Sequence, residues 1–468
     1  MSVPARPVPS DMADLGSTAV RTPLTEDALL QRRASRWIDR WEPEDPQFWS
    51  AVGARTAKRN LVFSILSEHV GFSVWVLWSV MVLFMPEPVW GFTVTDKFLL
   101  TTTPALVGAF VRLPYTFAIA KFGGRNWTVV SALLLLVPAL LAVVLLQPGV
   151  SLATLLLVTA VAGVGGGNFA SSMANINNFY PQHLKGRALG LNAGGGNLGV
   201  AAVQVVGALV LLAHGPDTDP RVMLYLYIPL VVVVSALAWS RMDNLTVATN
   251  DRGAMREVSR HRHTWIISLL YIGTFGSFIG FGFAFGQVLA AAGADRPIYY
   301  VWLGAFAGSL IRPVGGLLAD RYRGSTVTFW NFLAMTAAAT VVLAAARSDS
   351  IPLLACSFTV LFALTGIGNG SVYKMIPAIF HAETMGSVAS GGGRTSSQDR
   401  RLASALVGLA GAVGAFGGVL VQIAFRESFL AYGDGTAAYV VFMAFYLACA
   451  ALTWVVYLRP SSRRLVGV

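Results

Sequence analysis

The sequence predicts an all-α membrane protein with twelve transmembrane helices in two six-helix, pseudo-symmetric halves. Three observations predict it. Of 468 residues, 55% are hydrophobic and only 12% are charged, and the mean hydropathy is +0.62. Soluble domains carry about 25% charged residues, so this chain cannot cover a water-facing surface and must turn most of its length to lipid or to other apolar helices. The apolar residues fall into twelve segments separated by short polar gaps. Features of the first half recur in the second at an offset near 200 residues.

In chain order, residues 1–25 are polar and proline-containing with no periodicity, which predicts disorder. Residues 26–41 place Leu30, Ala34, Trp37, Ile38 and Trp41 on one helical face and Arg32, Arg33, Arg36 and Arg40 elsewhere. That pattern predicts an interfacial helix, with a solvated basic tail as the alternative. The apolar segments follow at 61–85, 98–120, 127–147, 152–180, 187–213, 222–241, 264–291, 298–320, 326–346, 351–380, 403–425 and 436–458. Each meets the roughly 20 residues a bilayer requires. The expected division is a cytoplasmic tail (1–58), a six-helix bundle (59–241), a linker (242–263), a second bundle (264–458) and a tail (459–468).

The net charge of +11 reflects loops rather than a nucleic-acid surface, and no nucleic-acid partner is expected. Most Lys and Arg lie on the side that holds both ends. The opposite loops carry only Lys97, Arg221, Arg296, Arg347 and Arg426. By the positive-inside rule both termini are expected in the cytoplasm, with the chain in the inner membrane. Cys356 and Cys449 lie within apolar runs and suggest neither a disulfide nor a metal site.

The repeat is clearest around two arginines. Span 2 reads GAFVRLPYTFAIAKFGGR and span 8 reads GSLIRPVGGLLADRYRG, with Arg112 and Arg312 exactly matched by offset and each followed nine residues later by Lys121 or Arg321. Spans 4 and 10 match more loosely, GVGGGNFASS against GIGNGSVYKM. A parallel duplication explains both. It is the architecture of the major facilitator superfamily, in which substrate binds between the halves near mid-membrane. The 8–9 loop, with Asp320 and Arg321, resembles that superfamily's Gly-x-x-x-Asp-Arg loop and is the expected cytoplasmic gating element. The 2–3 loop lacks the Asp.

A guanidinium at the bilayer centre costs about 2.5–3.5 kcal/mol, and arginine cannot escape by losing its proton. Spans 2 and 8 hold no Asp or Glu near that depth. The missing counter-charge is therefore expected to be the substrate, a small oxyanion held by two planar forks. The bland alternative is pairing with helix-end carbonyls or a carboxylate elsewhere. Gly-rich stretches in spans 4, 5 and 11 allow close helix approach. Asn168, Asn175 and Asn197 are helix clamps or substrate donors. Tyr271, Phe275 and Phe169 are candidates to clamp a flat anion. Glu68, beside His69 in span 1, and Lys374 in span 10 form either a buried pair or a proton-coupling element, with Lys374 also free to snorkel.

GGGNFASSMANINNFYP in span 4 resembles the signature of the nitrate/nitrite porter family (NarK-like) of the major facilitator superfamily, as do RWEPEDPQFW before span 1 and FGSFIGF in span 7. The resemblance runs from about residue 37 onward. It implies a secondary transporter of nitrate and nitrite, monomeric, lipid-embedded and without cofactor or metal. Its substrate arginines fall on Arg112 and Arg312, its stacking phenylalanines on Phe169 and Phe275, and its tyrosine and asparagine on Tyr271 and Asn197. Exchanger-type members carry no ionisable residue at the positions of Glu68 and Lys374. Nitrate/nitrite exchange and proton-coupled nitrate import therefore both stay open. Paired arginines argue against a sugar or drug porter. The lack of clustered acids or a nucleophile–base set argues against a membrane enzyme.

Overall fold

The computed structural model describes residues 25–248, 252–348, 350–389 and 396–459. Twelve helices are long and apolar enough to cross a membrane: Pro46–Phe84, Val94–Phe122, Gly124–Leu145, Leu152–Phe179, Gln182–His214, Arg221–Arg241, Arg262–Ala291, Ile298–Tyr322, Gly324–Arg347, Ile351–Met385, Arg401–Tyr432 and Thr436–Leu458. They are numbered here as spans 1–12. Each expected apolar segment coincides with one of them, those ending at 85, 147 and 180 overrunning their helices by one or two residues, and spans 1 and 11 extend furthest beyond the apolar run. Twelve crossings put the start of span 1 and the end of span 12 on one face, called here the terminal face.

The two halves repeat each other in backbone detail. The 2–3 loop turns at Gly123 (φ 86°, ψ 149°) and the 8–9 loop turns 200 residues later at Arg323 (φ 74°, ψ 142°). Glycine adopts this conformation freely. Arginine does so only where the surrounding structure imposes it, at a cost of about 1–3 kcal/mol. The outward faces of the bundle are apolar: Val144, Leu157, Leu317 and Trp330 are each largely exposed, as side chains that meet lipid must be.

On the face opposite the termini the halves are sealed. Phe98 of span 2 stacks against Phe425 and Phe429 of span 11, and Trp75 of span 1 meets Phe283 of span 7 edge-on. Beside these rings, Thr101 donates to Gln422 Oε1 (3.1 Å) and accepts from Gln287 Nε2 (3.0 Å). Gln422 and Gln204 donate to the carbonyls of Gly280 and Gly282 in span 7 at 2.9 and 3.1 Å. Towards the terminal face the halves part around a cavity of about 1080 Å³.

The interfacial helix expected over 26–41 does not form. Only Glu26–Leu30 is helical, and Gln31 (φ 47°) ends it in the left-handed region. The chain then pairs as Trp37–Ile38 with Asn244–Leu245. Its apolar side chains turn inward rather than to lipid: Leu30, Ile38 and Trp41 pack with Phe48, Val52, Phe179 and Leu245. The Trp41 indole donates to the Asn178 carbonyl at 3.1 Å. Arg32 and Arg36 of this segment converge with Arg59 of span 1 on Asp243, which is fully buried, while Arg33 and Arg40 pair with Asp39 and Glu42. Arg36 lies 3.0 Å and Arg32 3.5 Å from Oδ1, while Arg59 lies 2.7 Å from Oδ2. Burial pushes the nearby Glu26 carboxyl up, but hydrogen bonds and charge from Arg32 and Arg59 outweigh it and hold the group below its ordinary value.

Asp243→Ala leaves three arginines without their shared carboxylate. We expect a loss of about 3 kcal/mol, the low end for breaking a buried pair because the arginines keep some water, and faster tryptic cleavage between Arg32 and Arg40. An unchanged cleavage pattern would show that this cluster does not hold the segment in place.

Candidate anion-binding site

The site begins with close helix contacts. Span 4 is interrupted by a 3₁₀ turn at Gly163–Gly167, and a side-chain carbon on Gly166 would lie 2.6 Å from the Gly108 Cα in span 2. That approach brings Phe169 over Arg112. In span 7 a π turn at Ile272–Gly276 begins directly after Tyr271 and includes Phe275, and a carbon on Gly276 would lie 2.5 Å from the Gly417 Cα of span 11. π turns re-aim side chains and favour functional sites. Here the turn lays Tyr271 and Phe275 parallel, 5.0 Å apart and 7° from coplanar.

Arg112 is fully buried. Its Nη1 donates to the Gly411 carbonyl of span 11 at 3.1 Å, crossing from one half to the other. Its guanidinium carbon lies 5.0 Å from the ring centres of both Phe169 and Phe275 and 5.7 Å from that of Trp75. Phe169 and Phe275 stack across the halves at 5.7 Å. Arg312 donates from Nη2 to the Tyr271 hydroxyl at 3.2 Å and lies 5.3 Å from the Tyr373 ring centre. The two arginines thus flank one aromatic pile. Arg112 Nε and Nη2 and Arg312 Nη1 are buried with no hydrogen-bond partner among the described residues, and no carboxylate pairs with either arginine there.

Asn197 of span 5 is fully buried, and neither amide atom has a partner among the described residues. The other two asparagines pack as clamps. Asn168 closes on Gly71 of span 1, and Asn175 closes on Gly124 at the start of span 3. The buried Glu68–Lys374 pair is not formed. Lys374 donates to both Asp320 oxygens at 2.7 and 2.8 Å, and both side chains are about half exposed at the cavity mouth. Spans 8 and 10 pack side by side within one half, so Asp320 is in reach of Lys374 and Glu68, in the other half, is not. Arg321 lies 5.2 Å from the ring centre of its neighbour Tyr322.

Sequence reasoning missed Tyr373, Trp75 and Gly411. Tyr373 sits 4.7 Å from Tyr271 and lines the cavity with Phe169, Arg312 and Gly411. Its adjacency to Lys374 was the available signal. Gly411 contributes only a backbone carbonyl, which no residue type advertises.

The chain matches the Major Facilitator Superfamily over residues 69–398. It is 35% identical over 446 residues to a protein of Salmonella typhimurium named nitrate/nitrite transporter NarU, covering 91% of this chain and 96% of that one. It is 31% identical over 463 residues to a Thermus thermophilus protein named probable nitrate/nitrite antiporter NarK2, covering 93% and 100%. Among solved structures, a D-xylose-proton symporter superposes with a TM-score of 0.63 at 15% identity, covering 87% of this chain and 98% of that one, a likeness of fold alone.

An unpaired buried guanidinium destabilises the empty protein. Arg112→Met should therefore raise the melting temperature in anion-free buffer, by the equivalent of about 2 kcal/mol, less than the full central-membrane cost of an arginine because one hydrogen bond is lost. It should also abolish stabilisation by added anion. A lower melting temperature without anion would make Arg112 a structural residue.

Proposed function

This chain belongs to the nitrate/nitrite porter family of the major facilitator superfamily and is a multi-pass membrane transporter, not an enzyme; we propose that it carries nitrate and nitrite across the cytoplasmic membrane, with Arg112 and Arg312 binding the anion between the halves. The observation that carries this reading is the set of buried, unpartnered guanidinium N–H groups beside stacked rings. Nitrate is flat, singly charged and accepts hydrogen bonds in its plane. Arginine forks meet that plane edge-on, while Phe169 and Phe275 offer it apolar faces. Tyr271 orients Arg312, and Asn197 supplies a neutral donor.

The Lys/Arg bias puts the terminal face in the cytoplasm. The cavity then opens inward, past Lys185, Arg187 and the Asp320–Lys374 pair, while the aromatic and glutamine contacts close the outer face. Alternating access exchanges which face is sealed. The anion favours the exchange because its ligands come from both halves.

Reconstituted in liposomes loaded with nitrite, the protein should take up external nitrate. Arg112→Lys and Arg312→Lys keep the charge and lose the fork, so each should weaken nitrate binding at least about tenfold, the equivalent of one charge-assisted hydrogen bond. Wild-type affinity in both variants would refute the paired-arginine site.

A further inference from the structure

The anion site leaves the buried carboxyl of Glu68 unused. Glu68 is 1% exposed and lies among spans 1, 4 and 5. Its Oε2 accepts from Ser172 Oγ and from Asn192 Nδ2 (2.7 Å), and Asn192 also donates to Ser172. Its Oε1 has no partner among the described residues. Room for the carboxyl exists because span 5 carries glycine at 196: a side-chain carbon there would lie 2.2 Å from Oε1. Lys374, the partner expected for it from the sequence, is held by Asp320 in the other half.

A lone buried carboxylate costs several kcal/mol unless a charge or a proton compensates it. The ionisable groups around Glu68 are few. His69, on its own span, holds the Gly195 carbonyl through Nδ1 at 3.0 Å. Spans 4 and 5 present neutral Ser172 and Asn192. Span 6 brings Tyr227 to Ser73, further along span 1. One helical turn on from Glu68, Phe72 meets Phe169 edge-on at 5.9 Å, and the Arg112 guanidinium carbon lies 5.0 Å from that Phe169 ring. Across so short a low-dielectric gap, an ionised carboxylate at this place feels the field of the arginine site that awaits an anion.

Resting on the nitrate reading above, we propose that Glu68, seated on Ser172 and Asn192, is the proton-binding site of this transporter, and that proton and anion bind cooperatively. When nitrate neutralises the arginines, their support for ionised Glu68 falls and the carboxylate takes up a proton. When the anion leaves, the arginine field favours release of that proton. By linkage, protonating Glu68 strengthens anion binding by the same factor. Proton exchange with the cytoplasm runs past Met173, which lines the cavity and whose Sδ lies 3.6 Å from Asn192 Nδ2. The coupled result is symport of one proton with each anion.

Two transport modes in liposomes separate the possibilities. In the first, nitrate exchanges against internal nitrate with no pH gradient. In the second, nitrate accumulates with an acid exterior and no internal anion. We expect wild-type protein to do both. Glu68→Gln should keep exchange within about twofold and lose gradient-driven accumulation at least tenfold. Nitrate binding to the wild type, read by thermal stabilisation, should tighten as pH falls, by up to tenfold per pH unit for one linked proton, and Glu68→Gln should remove that dependence. The wild-type binding curve stands even if the variant does not fold. Undiminished accumulation by Glu68→Gln, wild-type transport that ignores the gradient, or pH-independent wild-type binding each overturns the proposal. Absence of nitrate movement in both modes removes the substrate reading itself, and the proposal with it.

Discussion

Two guanidinium groups held in a low-dielectric interior with no carboxylate paired to them among the described residues are the constraint on which this structure depends. Arg112 has one hydrogen bond and Arg312 has one, each leaving nitrogen atoms with no acceptor among the described residues. A fold evolved only for stability would pair or replace them, since breaking even or better with apolar side chains is the common result. Their cost is compensated by ring faces, which attract cations without neutralising them. Phe169, Phe275 and Trp75 lie within 6 Å of Arg112, and Tyr373 does the same for Arg312. The charge is thereby tolerated yet still available to a ligand.

Bare backbone makes that arrangement attainable. Where Gly166 meets Gly108 and Gly276 meets Gly417, helices approach closer than any side chain allows. The two irregular turns, at Gly163–Gly167 and Ile272–Gly276, lie beside these contacts and re-aim Phe169 and Phe275 towards each other across the halves. The site is thus a property of the interface and not of either bundle.

Much of this was legible in the sequence, and the reason is energetic. A membrane suppresses charged residues so strongly that two arginines at a duplicated position stand out without any structure, and the spans themselves follow from length and apolarity. What stayed hidden was what depends on contact geometry. Gly411 acts through its carbonyl. Tyr373 acts through its place beside Tyr271. Lys374 chose Asp320 over Glu68 because spans 8 and 10 share a half, a relation that charge alone does not encode. Residues 26–41 carried a real amphipathic pattern, but the apolar face found Phe179 and Leu245 before it found lipid, and buried Asp243 gave the arginines a better partner than water.

The two faces of the bundle are closed by different physics, and the difference bears on transport. The sealed face opposite the termini uses aromatic stacking and neutral hydrogen bonds across the halves, Thr101 with Gln422 and Gln287 and Gln204 with the Gly282 carbonyl. Neutral bonds of this kind exchange for water at little net cost, about 1 kcal/mol each, so such a seal can open repeatedly without stranding a charge. An ion pair there would set a large desolvation cost on every closing and would trap or repel a passing anion. The charged elements, Lys374 with Asp320 and the Asp243 cluster, are each confined within or beside a single half on the terminal face, where the first pair is half exposed and the arginines around buried Asp243 keep some water. Among the described residues, the guanidinium of Arg112 reaches across the interface to the Gly411 carbonyl, a neutral partner that leaves its charge uncompensated.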